Sequence, residues 1–172
     1  MNNSEDFISK YLTKPNKTGD GYKLYAIHHE AETTSDLDEL SALQNHKDSS
    51  VRSNAAQNPN CTPAHIDKAL NDESDNVRAN AAANPNATSS HLDRAINDDH
   101  RYVRSSAARN PNATKEHLDK AFGDEYSVRQ AAASNPNCTK EHLAKALGDD
   151  HYYINVTATK NPNYKKFFPN GH

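Results

Sequence analysis

The chain has no tryptophan, one methionine, two cysteines and five glycines among its 172 residues. Leu, Ile, Val and Phe together number 24, about 14% of the chain, below the roughly 20% under which disorder becomes the compositional expectation. Mean hydropathy is −1.05. No apolar run approaches the roughly 18 residues of a membrane span. Residues 1–10 carry acids and no hydrophobic stretch of the secretory type, so the reading is of a cytoplasmic protein without a membrane partner. Charge of one sign is missing too: 20 Lys and Arg face 23 Asp and Glu, for a net charge of −3. That excludes a generally basic nucleic-acid binder, though not a local patch. It also removes the self-repulsion that keeps disordered chains open. There is no Ser-His-Asp order, no P-loop, no metal-spaced cluster and no Gly-rich fingerprint, and no tryptophan to wall a base-holding pocket. The expectation is a non-enzyme with no catalytic residue, no metal and no cofactor.

What the chain does have is repetition. Asn-Pro-Asn occurs at 58–60, 84–86, 110–112, 135–137 and 161–163, at steps of 26, 26, 25 and 26 residues. Val51 and Arg52 lie 26 residues before Val77 and Arg78, which marks a degenerate first copy. The repeats are therefore 32–57, 58–83, 84–109, 110–134 and 135–160. Residues 1–31 fall outside the pattern and read as an N-terminal cap. Residues 161–172 read as a C-terminal cap, with Tyr164, Phe167 and Phe168 at helical spacing. Phe7, Ile8, Tyr11 and Leu12 suggest one helix in the first segment. Tyr22, Leu24, Tyr25 and Ile27 suggest a second apolar element whose spacing leaves its type open and favours a helix slightly.

Each repeat reads as two short helices. Helix A follows a Thr (62, 88, 114 or 139) whose hydroxyl can cap the first turn, and Pro63 suits a first helical position. Asp36, with Glu39 three residues on, takes the cap position in the first repeat. Apolar residues then recur at helical spacing, as in Leu118, Ala121 and Phe122. Asn71, Asn97, Gly123 or Gly148 follows, residue types that tolerate a left-handed helix end. Helix B starts at Val51, Val77, Val103, Val128 or Ile154, or one or two residues earlier. It continues with buried alanines and stops at Asn-Pro-Asn, because Pro cannot continue a helix. Two helices of about nine residues cannot enclose a core alone, but stacked on like neighbours they share one. This explains how so poor a composition folds. The small residues of helix B permit tighter spacing than the Leu and Phe of helix A, so the stack should bend with helix B inside.

The string Asn-Pro-Asn-x-Thr-x-x-His-Leu-x-x-Ala-Leu-x-Asp, followed by Val-Arg-x-x-Ala-Ala, resembles the leucine-rich repeat variant family and, more loosely, HEAT-like repeats. The resemblance covers residues 32–160 and implies an all-α, right-handed solenoid of about five two-helix repeats. It implies no activity. Some members of that family carry an iron–sulfur module, which needs a cysteine cluster that this chain lacks.

Four sets of residues invite functional readings. Cys61 and Cys138 share one repeat position with Ser35, Ala87 and Ala113, so that slot takes a small residue. Three layers of about 8–10 Å separate the two thiols, too far for a disulfide. His65, His91, His117 and His142 each follow the capping Thr by three residues, where Glu39 stands in the first repeat; they read as capping partners rather than metal ligands. Arg52, Arg78, Arg104 and Arg129 form a ladder broken at Asn155, to be either compensated by Asp72, Asp98, Asp124 and Asp149, which recur in the loop preceding helix B, or offered to phosphate. The loop entering helix B departs from the repeat: Ser49 and Ser50, then Asp75 and Asn76, give way to Arg101 and Tyr102, Tyr126, and Tyr152 and Tyr153. Structural slots recur in every repeat, and these do not. Tyr and Arg are also enriched in interface hot spots. The expected binding residues are Arg101, Tyr102, Arg104, Arg109, Tyr126, Arg129, Tyr152, Tyr153 and Lys160, on a monomer that engages a protein partner or, alternatively, a nucleic acid.

Overall fold

The computed structural model describes residues 19–171, with side chains from residue 26 onward. The helix expected over Phe7, Ile8, Tyr11 and Leu12 lies outside the described residues. Among those described there are twelve helices and no strand. Helix α1 spans Gly19–Thr33. The helix-A elements are α2 (Leu37–Leu43), α4 (Pro63–Ala69), α6 (Ser89–Ala95), α8 (Lys115–Ala121) and α10 (Lys140–Leu147). The helix-B elements are α3 (Ser49–Gln57), α5 (Asp75–Ala83), α7 (Arg101–Arg109), α9 (Tyr126–Ala133) and α11 (Tyr152–Lys160), and α12 (Tyr164–Phe167) follows. The chain divides into two compact units, 1–86 and 87–172.

In the first unit, α3 packs between α1 and α5. Thus α1 takes the place of a preceding helix B and runs two residues past the boundary expected after residue 31. In the second unit, α7 packs on α9 and α9 on α11, with α12 against α11. The cores are columns of equivalent residues. Leu40 and Ile66, or Leu92, Leu118 and Leu143, face inward from helix A; Val51 and Val77, or Val103, Val128 and Ile154, do so from helix B, and all are essentially fully buried. Each such side chain is worth about 1.5–3 kcal/mol. Alanines fill the remaining buried helix-B positions and let the neighbouring backbones approach.

The helix starts follow the expected chemistry. Thr62 and Thr88 cap α4 and α6, each accepting from the backbone N–H of the His three residues on, and the His Nδ1 accepts in return from the Thr N–H at 3.2 and 3.0 Å. The return bonds at Thr114 and Thr139 measure 2.9 and 3.2 Å. Asp36 caps α2, but Glu39 does not reach back to it; its carboxylate accepts from the Thr34 hydroxyl, which itself accepts from the Asp36 N–H. The helix ends correct the expectation. No described non-glycine residue has positive φ, and Gly171 is the one glycine that does. Helix A ends right-handed, for example at Leu70 (φ −68°, ψ −11°). Asn71 and Asn97 instead fold their amides back onto the carbonyls of Asp67 and Asp93, at 2.9 and 2.6 Å.

Asn-Pro-Asn does more than stop helix B. The first Asn is buried in all five copies. Its Oδ1 accepts from the N–H two residues on, as in Asn135 from Asn137 at 2.8 Å. Its Nδ2 reaches back one repeat: Asn84 donates to the carbonyls of Ala56 (2.9 Å) and Asn58 (3.0 Å), and Asn161 to those of Ala133 (2.8 Å) and Asn135 (2.9 Å). Asn58 makes the same bonds to Ala31 and Thr34 at the end of α1, both at 3.0 Å.

Beyond the shared capping bond the histidines differ. The His65 Nε2 meets the Ser41 hydroxyl at 2.9 Å, whereas His117 and His142 meet the carboxylates of Asp93 (3.0 Å) and Asp119 (2.9 Å). Burial, assisted by the nearby Lys68 ammonium and opposed by the Leu37 backbone, holds the His65 imidazole below its ordinary value. A depressed histidine contributes stability at pH above the unfolded value near 6.5, and that stability is lost as pH falls through the folded value. His65→Gln is expected to flatten the loss of stability between pH 6.5 and 5 in urea titrations. An unchanged slope would remove His65 as its source.

Candidate functional site

The arginines of helix B stand one position after the buried valine, in the first turn, where a cation opposes the helix dipole. The acids of the following loop, and not those of the preceding loop as the sequence suggested, answer it. Arg104 clasps Asp124 through Nε (2.7 Å) and Nη2 (3.0 Å), and its Nη1 donates to the carbonyls of Asp98 and Asp99, both at 2.9 Å. Arg129 clasps Asp149 at 2.7 and 3.1 Å and donates to the Asp124 carbonyl at 2.9 Å. Arg52 repeats the arrangement with Asp72 at 2.7 and 2.9 Å. Burial pushes the Asp124 carboxyl up, but the Arg104 bonds and the Glu125 N–H outweigh it, and the net shift is downward. Asp149 is held far below the usual carboxylate range, chiefly by Arg129. Of the expected binding residues, then, Arg104 and Arg129 spend their guanidinium groups on the framework.

The tyrosines are placed differently. Leu37, Tyr102, Tyr152 and Tyr153 are the large apolar side chains most exposed among the described residues, at 46, 52, 71 and 65%. Three of these four stand at the N-terminal ends of α7 and α11, on the two sides of α9. Tyr126, at the start of α9, is half-buried and packs on His151 with ring centroids 5.0 Å apart. Tyr152 and Tyr153 meet edge to face at 5.7 Å. Arg101 lies over the Tyr102 ring, 5.2 Å from its centroid. Arg101, Tyr102, Tyr126, Tyr152 and Tyr153 therefore share one rim. Arg109 and Lys160, both exposed, belong to the opposite helix ends. They are seven residues beyond Tyr102 and Tyr153, on the same helix face but about 10 Å along the axis.

Two features of the rim stand outside the expected set of binding residues. His100 and His151 occupy the N-cap positions of α7 and α11, and the His100 ring packs against Tyr102 at 5.1 Å. Each entering loop also carries two consecutive acids, Asp98-Asp99, Asp124-Glu125 and Asp149-Asp150, a pattern legible in the sequence once its spacing is noticed.

Asp149, Asp150 and His151 bring three ligand-type atoms within 4.8 Å. Arg129 sits among them, clasping Asp149 and donating to the His151 Nδ1 at 3.0 Å, so a fixed cation already stands where a metal would. Cys61 and Cys138 are buried free thiols, with burial pushing them up to about 11 and about 12. The Cys138 Sγ lies 3.1 Å from the Ala132 carbonyl. Both are poor nucleophiles at neutral pH. No described helix is long and apolar enough to cross a membrane. No family model matches the chain, and no curated protein matches it either.

Proposed function

We propose that the chain is a non-catalytic binding scaffold, monomeric and cytoplasmic. Its repeats form a right-handed α-solenoid of the leucine-rich repeat variant and HEAT-like kind, with helix B on the inner side of the curve. The helix-B surface of the second unit engages a protein partner. The observation that carries this reading is the exposure of Tyr102, Tyr152 and Tyr153 at the N-terminal ends of α7 and α11, on the two sides of α9. A repeat protein recognises its ligand where its repeats differ, because shared positions are committed to holding neighbours together. Tyrosine offers large contact area at small entropic cost. Buried free thiols suit a reducing compartment. The phosphate route through the arginine ladder loses support, since Arg52, Arg104 and Arg129 already grip Asp72, Asp124 and Asp149.

The test uses the partner captured from the native source and then purified. Changing Tyr102, Tyr152 and Tyr153 together to alanine is expected to weaken binding at least about tenfold, or about 1.4 kcal/mol, with the melting temperature unchanged. Changing Glu116 and Glu141, exposed on the helix-A side, is expected to leave binding intact. A footprint on helix A would overturn the reading.

A further inference from the structure

Charge decides what the tyrosine rim can hold. Around the starts of α7, α9 and α11 stand six carboxylates, two per loop, against the guanidinium groups of Arg101, Arg104 and Arg129. Within each of the last two pairs the acids divide the work. The first, Asp124 or Asp149, is clasped by the arginine of the preceding helix B. The second, Glu125 or Asp150, reaches the same arginine only at 3.5 Å and stays 44 or 83% exposed, Asp150 with one oxygen also 2.7 Å from the His151 Nδ1. Asp99, the second acid of the remaining loop, is exposed as well. Exposed tyrosine rings and exposed carboxylates therefore share these helix starts, and the summed charge of the rim is negative. An anionic ligand would meet these carboxylates within a Debye length of about 8 Å. A cation would be drawn to both components, the carboxylate and the negative face of the ring. The rim already holds one cation of its own in this manner, the Arg101 guanidinium over Tyr102.

We propose that the occupant of this rim is a basic peptide segment of the partner, its lysine or arginine side chains seated between the exposed tyrosine rings and the second acid of each loop. The proposal rests on the docking role assigned to the second unit and supplies the chemistry of what docks there. It separates the two macromolecular classes left open by the sequence, because a nucleic acid would bring phosphates to Glu125 and Asp150.

The test uses the full chain and three fluorescein-labelled probes: decalysine, decaglutamate and a ten-residue oligothymidylate. Fluorescence anisotropy at about 0.15 M salt is expected to show decalysine binding and the two anionic probes failing to bind. Glu125→Gln with Asp150→Asn is expected to weaken decalysine at least tenfold, and Tyr152→Ala with Tyr153→Ala at least fivefold. Glu116→Gln with Glu141→Gln removes the same charge from helix A and is expected to change binding less than twofold. Equal loss from the helix-A pair would reduce the effect to bulk charge and overturn the proposal. So would tighter binding of oligothymidylate, or no binding of decalysine. If the carboxylate pair lowers the melting temperature, the tyrosine pair, whose side chains are solvent-exposed, decides. With the purified partner, loss in the tyrosine variants but not in the carboxylate pair would sink the basic-segment proposal and leave the docking surface standing. Retention in both would sink both.

Discussion

Asn135→Ala is expected to destabilise the protein by at least about 2 kcal/mol, a fall of roughly 4–8 °C in melting temperature for a chain of this size. Asn135 is 0% exposed. Its amide donates to the carbonyls of Ala108 (2.7 Å) and Asn110 (2.9 Å) while its oxygen accepts from the Asn137 N–H at 2.8 Å. Truncation leaves the Ala108 carbonyl and the Asn137 N–H without this bond where water does not replace it, at about 1–3 kcal/mol per group left unsatisfied, while the Asn110 carbonyl keeps the Ala113 N–H at 3.0 Å. Total stability of a domain is only about 5–15 kcal/mol. Asn135→Asp should cost at least as much at neutral pH, because a carboxylate would face two carbonyl oxygens, and part of that cost should be relieved in acid as the carboxyl gains a proton to donate. Asn137 provides the comparison. Its amide bonds the carbonyls of Pro111 (2.7 Å) and Ala113 (2.9 Å) nearer the surface, so Asn137→Ala should cost about 1 kcal/mol. Urea denaturation of the three variants measures this, and a larger loss at 137 than at 135 would refute the assignment of the first Asn as the buried tie.

The second large effect is expected at the Arg104–Asp124 pair. Asp124→Ala should cost about 2–3 kcal/mol, less than the 3–5 of a fully buried pair, because both side chains keep 18% of their exposure. It strips the two-pronged acceptor from a guanidinium that stays anchored to the carbonyls of Asp98 and Asp99. A double-mutant cycle with Arg104→Ala should return a coupling of about 1–2 kcal/mol, and a coupling near zero would mean that the pair does not tie the helices. The acid response has a definite sign. The Asp124 carboxyl is depressed in the fold, so its contribution is present above the unfolded value of about 3.9 and is lost as pH falls through the lower folded value. Asp124→Asn should therefore remove part of the stability loss seen below about pH 4.

The limits of the arginine ladder show how much was legible locally. Asn155 stands where the earlier repeats place arginine. In the structure its amide donates to the carbonyls of Ala146 (2.8 Å), Leu147 (3.1 Å) and Asp149 (3.0 Å). It anchors the loop as Nη1 does elsewhere, without the second prong that needs a following Asp. The break in the pattern was visible in the sequence, but what replaced the arginine's bonds was not.

By itself the sequence determined what depends on neighbours a few residues apart. Thr62, Thr88 and Thr139 cap because a hydroxyl reaches the N–H three residues on, and the Leu and Val columns follow from helical period. Helix B stops where Pro59 or its equivalents deny a donor. Only the tertiary structure decided the interactions that span a whole repeat: the Asn ties to carbonyls about 26 residues back, α1 standing in for a helix B, and the first acid of a loop pairing with the preceding arginine. Helix A ended right-handed, against the local preference of Asn and Gly, because side-chain amides and following turns satisfied its last carbonyls. The rim was half legible. Unequal residues among equal repeats pointed to Tyr102, Tyr152 and Tyr153, but their exposure, and the net sign of charge around them, depended on which acids the arginines consumed. That is a matter of packing between helices some 20 residues apart in sequence, which a chain read one turn at a time does not contain.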